Sequence, residues 1–391
     1  MKIGDCMKPI IVIGSGHAGI TLTRELRLLD KEVPIILITQ DDGSAYYKPN
    51  LSKAISMGKS ANDLVMKEVE QIKAEQDIFI KTHTKVTAID PIGHAVTVDD
   101  GIGVERILYK DLVLATGASP FELPIKGDAK DEIISVNTLN DYRQFRNTIK
   151  KQERILIIGA GFVGVEFASD LFSSGYHVDV VDMEEWPLKR SLPEKLGLSI
   201  VDSFPNDKVN WHFGAAVVSV DHHNDSIEVT LSSGKKLQVD VVLSAVGIRS
   251  NTELAKAANV IVNRGIVVDN VLRTSIENIY AIGDCAEVSG HTLPFIAPAT
   301  FAAKALAKTL LGSDTALSIP NLAVAVKIPT CTTVVCPSLS LEGNWKVEGE
   351  SPDYVARFIN EQGEVSGFAL TGKSISQKAP LLKECIPPVF A

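Results

Sequence analysis

Residues 9–19 read PIIVIGSGHAG, and the fold follows from them. Ile10, Ile11, Val12 and Ile13 make an apolar run long enough for one buried parallel strand. Gly14, Gly16 and Gly19 then spell G-x-G-x-x-G around Ser15, and Ala18, Leu22, Leu26 and Leu29 follow at helical spacing. Strand, tight turn and helix is the context in which this pattern holds the pyrophosphate of a dinucleotide. The glycines permit the turn and close backbone approach, and the helix N-terminus offers free N–H groups and a positive dipole.

The device occurs twice. Residues 154–166, RILIIGAGFVGVE, place Gly159, Gly161 and Gly164 between a strand and a helix striped by Val165, Ala168 and Phe172, with Phe162 and Val163 inside the turn. The strand that follows, residues 177–182, ends on Asp182, where a carboxylate suits both ribose hydroxyls of NAD and repels a 2′-phosphate. NADH is therefore favoured over NADPH, an inference that Lys189 and Arg190 nearby weaken. In the first half the matching strand, residues 34–39, ends on Thr39, and Asp41 just beyond is the candidate ribose ligand. Two such motifs predict an α/β chain with two Rossmann-like domains.

Several other stretches fall into place around them. Residues 42–52, DGSAYYKPNLS, read locally as a polar loop with a proline turn. Next to a dinucleotide motif they put Lys48, followed by Pro49, beside a redox-active ring, where a cation stabilises charge gained on reduction. The stretch holds no cysteine, which argues against thiol-reductase and peroxidase chemistry. Residues 85–98 read as a hairpin that contains Val86. Residues 112–118, LVLATGA, form a buried strand leaving through Thr116 and Gly117, and residues 239–247 mirror it with an exit at Gly247. Residues 274–284 end in Gly283 and Asp284, a carboxylate presented at a sheet's carboxyl end to bind a ribityl chain or pyrophosphate-side hydroxyls. Residues 297–312 predict a helix with Pro298 at its first position and Gly312 at its C-terminal cap. After residue 320 four strand-like runs, the first spanning 324–335, describe a small α+β domain with Trp345, Phe358 and Phe368 as its core.

A net charge of −9 argues against a nucleic-acid or membrane-surface role for the whole molecule. No apolar run approaches the ~20 residues that span a bilayer. Residues 1–7 are too short and polar for a signal peptide, and Met7 could serve as the start, so the chain reads as cytoplasmic. Five scattered cysteines suit reduced thiols; Cys331 and Cys336 would lie on opposite faces of a strand as buried thiols. No Cys/His set has metal-ligand spacing, and His222 and His223 read as a solvated turn.

The ordered set GSGHAG, YYKPNLS, LATGA, GAGFVGVE, a strand ending in Asp, and AIGD resembles the pyridine-nucleotide disulfide reductase superfamily over nearly the whole chain. Lysine stands where related enzymes carry a redox cysteine, which resembles the branch of ferredoxin, rubredoxin and flavorubredoxin reductases. Asp41-Asp42-Gly43, VKIPTCTTVV and GFALTG are most similar to the rubredoxin–NAD(+) reductases of that branch. The resemblance implies an FAD domain at 1–118 and 245–320, an NAD domain inserted at 119–244 and a C-terminal interface domain at 321–391. It implies that Gly14 and Asp284 meet on one FAD, and that Lys48 and Glu166 pair near the flavin N5 as catalytic residues. It further implies that NADH reduces the flavin and that electrons leave singly to rubredoxin, feeding an alkane hydroxylase or similar oxidase. Lys304, Lys308 and Lys327 are the candidate docking cations for that acidic carrier. A ferredoxin or flavorubredoxin reductase, an NADH oxidase, and an NADH-binding switch resembling apoptosis-inducing factor are the competing readings.

Overall fold

The apolar runs become strands buried on both faces, which is why they read as continuous hydrophobic stretches rather than alternating ones. The computed structural model describes residues 8–339 and 342–386; residues 1–7, with Cys6 and Met7, lie outside them. The first parallel sheet runs Ile279–Ala281, Asp111–Leu114, Ile10–Ile13, Ile35–Ile38, Phe79–Lys81 from edge to edge. The second runs Ile134–Ser135, Val241–Ser244, Arg154–Ile158, His177–Val181, Val209–His212, also parallel throughout. Helix α1 (His17–Leu29) leaves the central strand of the first sheet, and α2 (Phe162–Ser173) leaves that of the second. A three-stranded antiparallel meander accompanies each: Lys85–Asp90 to Val104–Leu108 in the first half, Val217–His223 to Lys236–Val239 in the second. His222 and His223 therefore close a strand rather than form the turn itself, which falls at Asn224 and Asp225.

The chain enters and leaves the second half through a two-stranded antiparallel link, Ala118–Pro120 against Ile248–Ser250. It then returns to supply the first sheet's edge at Ile279–Ala281 and helix α3 (Ile296–Leu310). Phe295 caps α3, so Pro298 is its third residue rather than its first. Pro298 lies buried there, and Gly312 takes a left-handed φ of +92° just past the helix end.

The C-terminal unit is an antiparallel sheet ordered Val324–Val326, Thr333–Cys336, Val365–Thr371, Asp353–Asn360, Gly343–Glu350. Residues 324–335, read from sequence as one strand-like run, fold back as a hairpin: Val324 pairs with Val335, and Cys331 sits at the turn. One face of this sheet (Val335, Ala356, Ala369) merges with the core of the second nucleotide half, and Cys331 joins it. The other face holds Cys336, Phe368 and Leu370 under Leu381 of helix α4 (Lys378–Glu384). Cys331 and Cys336 are thus buried free thiols in separate cores. Phe368 is fully buried, whereas Trp345 and Phe358 are a half-buried edge-to-face pair 5.2 Å apart.

Candidate active site

Two glycine turns face two different demands. In the first, a Cβ on Gly14 would lie 2.2 Å from the Ala115 carbonyl oxygen, and one on Gly19 2.0 Å from that of Gly14. In the second, a Cβ on Gly159 would lie 2.7 Å from the Ala245 oxygen, and one on Gly164 1.9 Å from that of Gly159. These four glycines are required by the protein's own packing. The middle glycines are not: a Cβ on Gly16 or Gly161 meets nothing within 4 Å. Both are helix N-caps whose side of the turn offers no capping hydrogen bond from a side chain. Open space above unsatisfied first-turn amides is what a pyrophosphate fills, so both turns fit a dinucleotide.

The strand following each turn ends differently. Gly14 N–H donates to Ile38 and Gly159 N–H to Val181, each at 2.8 Å, which puts Thr39 and Asp182 at matching positions. Thr39 is buried and its hydroxyl bonds that of Ser15 at 2.8 Å. The exposed Asp41 beyond it donates its N–H to Thr39 Oγ1 at 3.2 Å. Asp182 accepts from the Ala160 N–H through Oδ2 and from the Glu184 N–H at 2.9 Å through Oδ1. Of the cations near it, Lys189 pairs with both Glu184 and Glu185. Arg190 lies 4.0 Å from Glu184.

The strand exits are tied to one another and to Asp284. Gly117 and Gly247 occupy equivalent exits, with φ of +67° and +108° and open space on their Cβ side. Thr116 donates to the Asn251 carbonyl at 2.9 Å, Asn251 Nδ2 returns a bond to the Thr116 carbonyl at 2.8 Å, and Ser250 Oγ reaches the Asp284 carbonyl at 2.7 Å. Asp284 follows Gly283, whose absent side chain lets Ala18 of α1 approach: a Cβ there would lie 2.8 Å from that of Ala18. Lys48 begins a 3-10 turn (Lys48–Lys53) with Pro49. Lys48 and Asp284 stand in each other's field: burial pushes the lysine pKa down, opposed by Asp284 and Asp141, and pushes the Asp284 carboxyl up, opposed by Lys48. Val86 is buried in the first core and offers no polar side chain. His17, inside the GSGHAG turn, bonds Thr300 of α3 at 2.7 Å through Nε2, tying two helix N-termini together. Burial lowers its pKa. Phe162 meets Phe295 edge to face at 6.4 Å across the two halves, with Val163 exposed beside it.

The expected Lys48–Glu166 pair is replaced by another. The buried Glu166 carboxylate accepts from Ser52 Oγ at 2.6 Å, from the Lys327 backbone N–H at 3.1 Å, and from the Lys327 ammonium. Lys327 reaches it because the turn after Val324–Val326 packs against α2, a contact that only the hairpin reveals. Lys327 is therefore turned inward and withdrawn from the expected docking set, whereas Lys304 and Lys308 are exposed on α3. Among the described residues no group of three or more His, Cys, Asp or Glu is placed to hold a metal ion. No helix among them is long and apolar enough to cross a membrane.

Two half-domains, each with a glycine turn fitted to a dinucleotide, define a two-dinucleotide protein. Residues 8–304 match the pyridine nucleotide-disulphide oxidoreductase family and residues 316–385 a rubredoxin binding C-terminal domain. The chain belongs to that oxidoreductase family, with FAD and NAD(H) as its cofactors. It is 42% identical to the rubredoxin-NAD(+) reductase of Alcanivorax borkumensis, over 97% of this chain and 98% of that one. The rubredoxin-NAD(+) reductase of Acinetobacter baylyi is 39% identical over 98% and 99%. A ferredoxin reductase structure from Rhodopseudomonas palustris superposes with a TM-score of 0.87 at 26% identity, covering 97% of this chain and 96% of that one.

Proposed function

We propose that this chain is an NADH-dependent rubredoxin reductase: it accepts two electrons from NADH and delivers them one at a time to rubredoxin. The carrying observation is the pairing of two dinucleotide sites with a C-terminal unit that matches a rubredoxin binding domain. FAD, when bound, supplies the conversion from a two-electron donor to a one-electron acceptor. The chain's own residues supply the rest. Gly14, Ser15, Gly16 and Gly19 hold the FAD pyrophosphate on α1, with Asp41 at the adenosine ribose. Asp284 takes the ribityl side, and Thr116, Gly117, Gly283, Val86 and Pro298 wall the site. Lys48 and the N-terminus of α3 favour negative charge on the ring. Gly159, Gly161, Phe162, Val163 and Gly164 hold the NADH pyrophosphate on α2, Gly247 opens its exit, and Asp182 selects the ribose hydroxyls. Because Glu184 and Glu185 occupy Lys189, that cation is not open to a 2′-phosphate. The four described cysteines are all buried, so no exposed thiol among them relays electrons. The unit boundaries near residues 118, 244 and 320 and a rubredoxin-dependent hydroxylase or oxidase downstream complete the reading.

Stopped-flow tests it. Mixing the flavoprotein with NADH and then NADPH should bleach the visible flavin band much faster for NADH, and oxidised rubredoxin should restore it rapidly. Reoxidation by ferredoxin but not rubredoxin would reassign the carrier. A long-lived reduced complex inert to both would replace the electron-carrier reading with an NADH-binding switch.

A further inference from the structure

Three parts of the chain meet on one face of α2. Glu166, 5% exposed and one turn into the helix, takes Ser52 Oγ, the Lys327 N–H and the Lys327 ammonium. Asp170, a turn further, takes the Ile55 and Ser56 N–H groups, each at 2.9 Å, and the Ser56 hydroxyl. Residues 52–56 continue from the 3-10 turn that begins at Lys48, and Lys327 belongs to the C-terminal unit. A buried carboxylate is tolerated when an opposite charge and hydrogen bonds together replace its water. Glu166 receives that charge from Lys327, leaving Lys48 to face Asp284.

We propose that Lys327 is a positioning residue for the reduction by NADH. It fixes the Glu166 carboxylate and, through Ser52, the segment that carries Lys48, so a cation of the C-terminal unit sets the geometry where the two dinucleotides meet. Charge-assisted bonds of this kind are directional enough to hold a neighbouring segment in register, and misplacement at a reacting centre lowers the limiting rate more than binding. The inference rests on FAD and NADH binding and is independent of which carrier the protein serves.

The test uses the FAD-loaded full chain, four single variants (Lys327→Met, Lys327→Arg, Ser52→Ala and Glu166→Gln) and the double variant Lys327→Met with Glu166→Gln. Lys327→Met should lower the limiting rate constant of flavin reduction by about tenfold while the NADH dissociation constant stays within about twofold. Lys327→Arg should restore most of that rate. Combining Lys327→Met with Glu166→Gln should cost less melting temperature than the two single losses added, because the charges act as one unit. Ser52→Ala, which leaves both charges in place, should slow reduction by about threefold and keeps the proposal testable should Lys327→Met not fold. An unchanged reduction rate with a salt-dependent change in carrier KM would overturn the proposal in favour of a docking role. A lower melting temperature with an unchanged limiting rate would overturn it in favour of a structural one.

Discussion

The two nucleotide halves are the same device built twice, and they part at two places. Their sheets share strand order, their first glycines donate to matching carbonyls, and their strand exits carry matching glycines. They differ in the residue just past the second strand, Thr39 in one and Asp182 in the other, and in how the fifth strand is supplied. The second half takes Ile134–Ser135 from just before its own motif; the first takes Ile279–Ala281 from the far side of the inserted half. That late strand delivers Asp284 to the start of α1 and into the field of Lys48, a carboxylate for which the second half has no counterpart: its early strand runs instead to Asn137 and Thr138, which begin a helix. Shared residues build the frame, and the departures are where the two halves present different groups.

The harshest way to break the comparison is to alanine-scan the glycines. Gly19→Ala drives a Cβ into the Gly14 carbonyl and should cost about 3 kcal/mol or more in urea unfolding, with Gly164→Ala similar in the second half. Gly16→Ala should leave the stability of the flavin-stripped protein within about 1 kcal/mol yet cut FAD retention sharply, since the methyl occupies only the open space above the helix. Gly161→Ala should retain FAD and lose NADH affinity. Equal destabilisation at all four positions would show that the middle glycines serve the fold.

Asp182→Ala removes the feature that separates the halves. It frees the Ala160 and Glu184 amides and removes the carboxylate proposed to meet the ribose, so KM for NADH should rise about tenfold, with NADPH discrimination falling by a comparable factor. A steady-state comparison of the two nucleotides decides it; unchanged selectivity would return the carboxylate to a purely structural part in the turn.

The sequence disclosed the glycines because their spacing is local: each reports a clash within one strand–turn–helix unit. Asp182 and Asp284 were legible for the same reason, as carboxylates at strand ends. The partner of Glu166 was not. Lys327 lies 161 positions away in sequence, and nothing in VKIPTCTTVV says that the run folds back as a hairpin against α2. The Lys48–Glu166 pairing is absent for a related reason: Glu166 is taken by Lys327, and the opposite charge that acts most on Lys48 is Asp284, just past the returning strand. Pro298 was misplaced by two residues because Phe295 closes the helix start without any side-chain capping signal. Local steric demands are written in the chain; pairings across long loops depend on topology.

Asp284 sharpens the contrast through pH. Burial raises its carboxyl pKa, so its contribution to folding is present below the ordinary carboxylate range and lost as pH rises. Asp284→Asn should therefore raise the melting temperature of the flavin-stripped protein by a few degrees at pH 7–8, with the gain shrinking below about pH 4. FAD retention should fall in the same variant. A melting curve that shifts equally at every pH would mean that the carboxylate charge is not the cause.

The smallest expected effect falls on the first turn itself. Ser15 in the first half and Ala160 in the second occupy the same place, but Ser15 bonds Thr39 through its hydroxyl while Ala160 gives its amide to Asp182. Ser15→Ala thus moves the first turn one step toward the second. Thr39 Oγ1 keeps the Asp41 N–H as a partner, so no buried hydroxyl is left without one, and the loss should stay near 1 kcal/mol in urea unfolding of the FAD-loaded protein. Thr39→Val costs more, because it strips both Ser15 and the Asp41 amide of their partner. The double variant should fall short of the sum, since the two hydroxyls serve one bond. If Ser15→Ala instead released FAD while leaving the unfolding midpoint of the stripped protein unchanged, the hydroxyl would be a phosphate ligand rather than a strut. The first turn would then grip its dinucleotide with a side chain where the second relies on backbone alone.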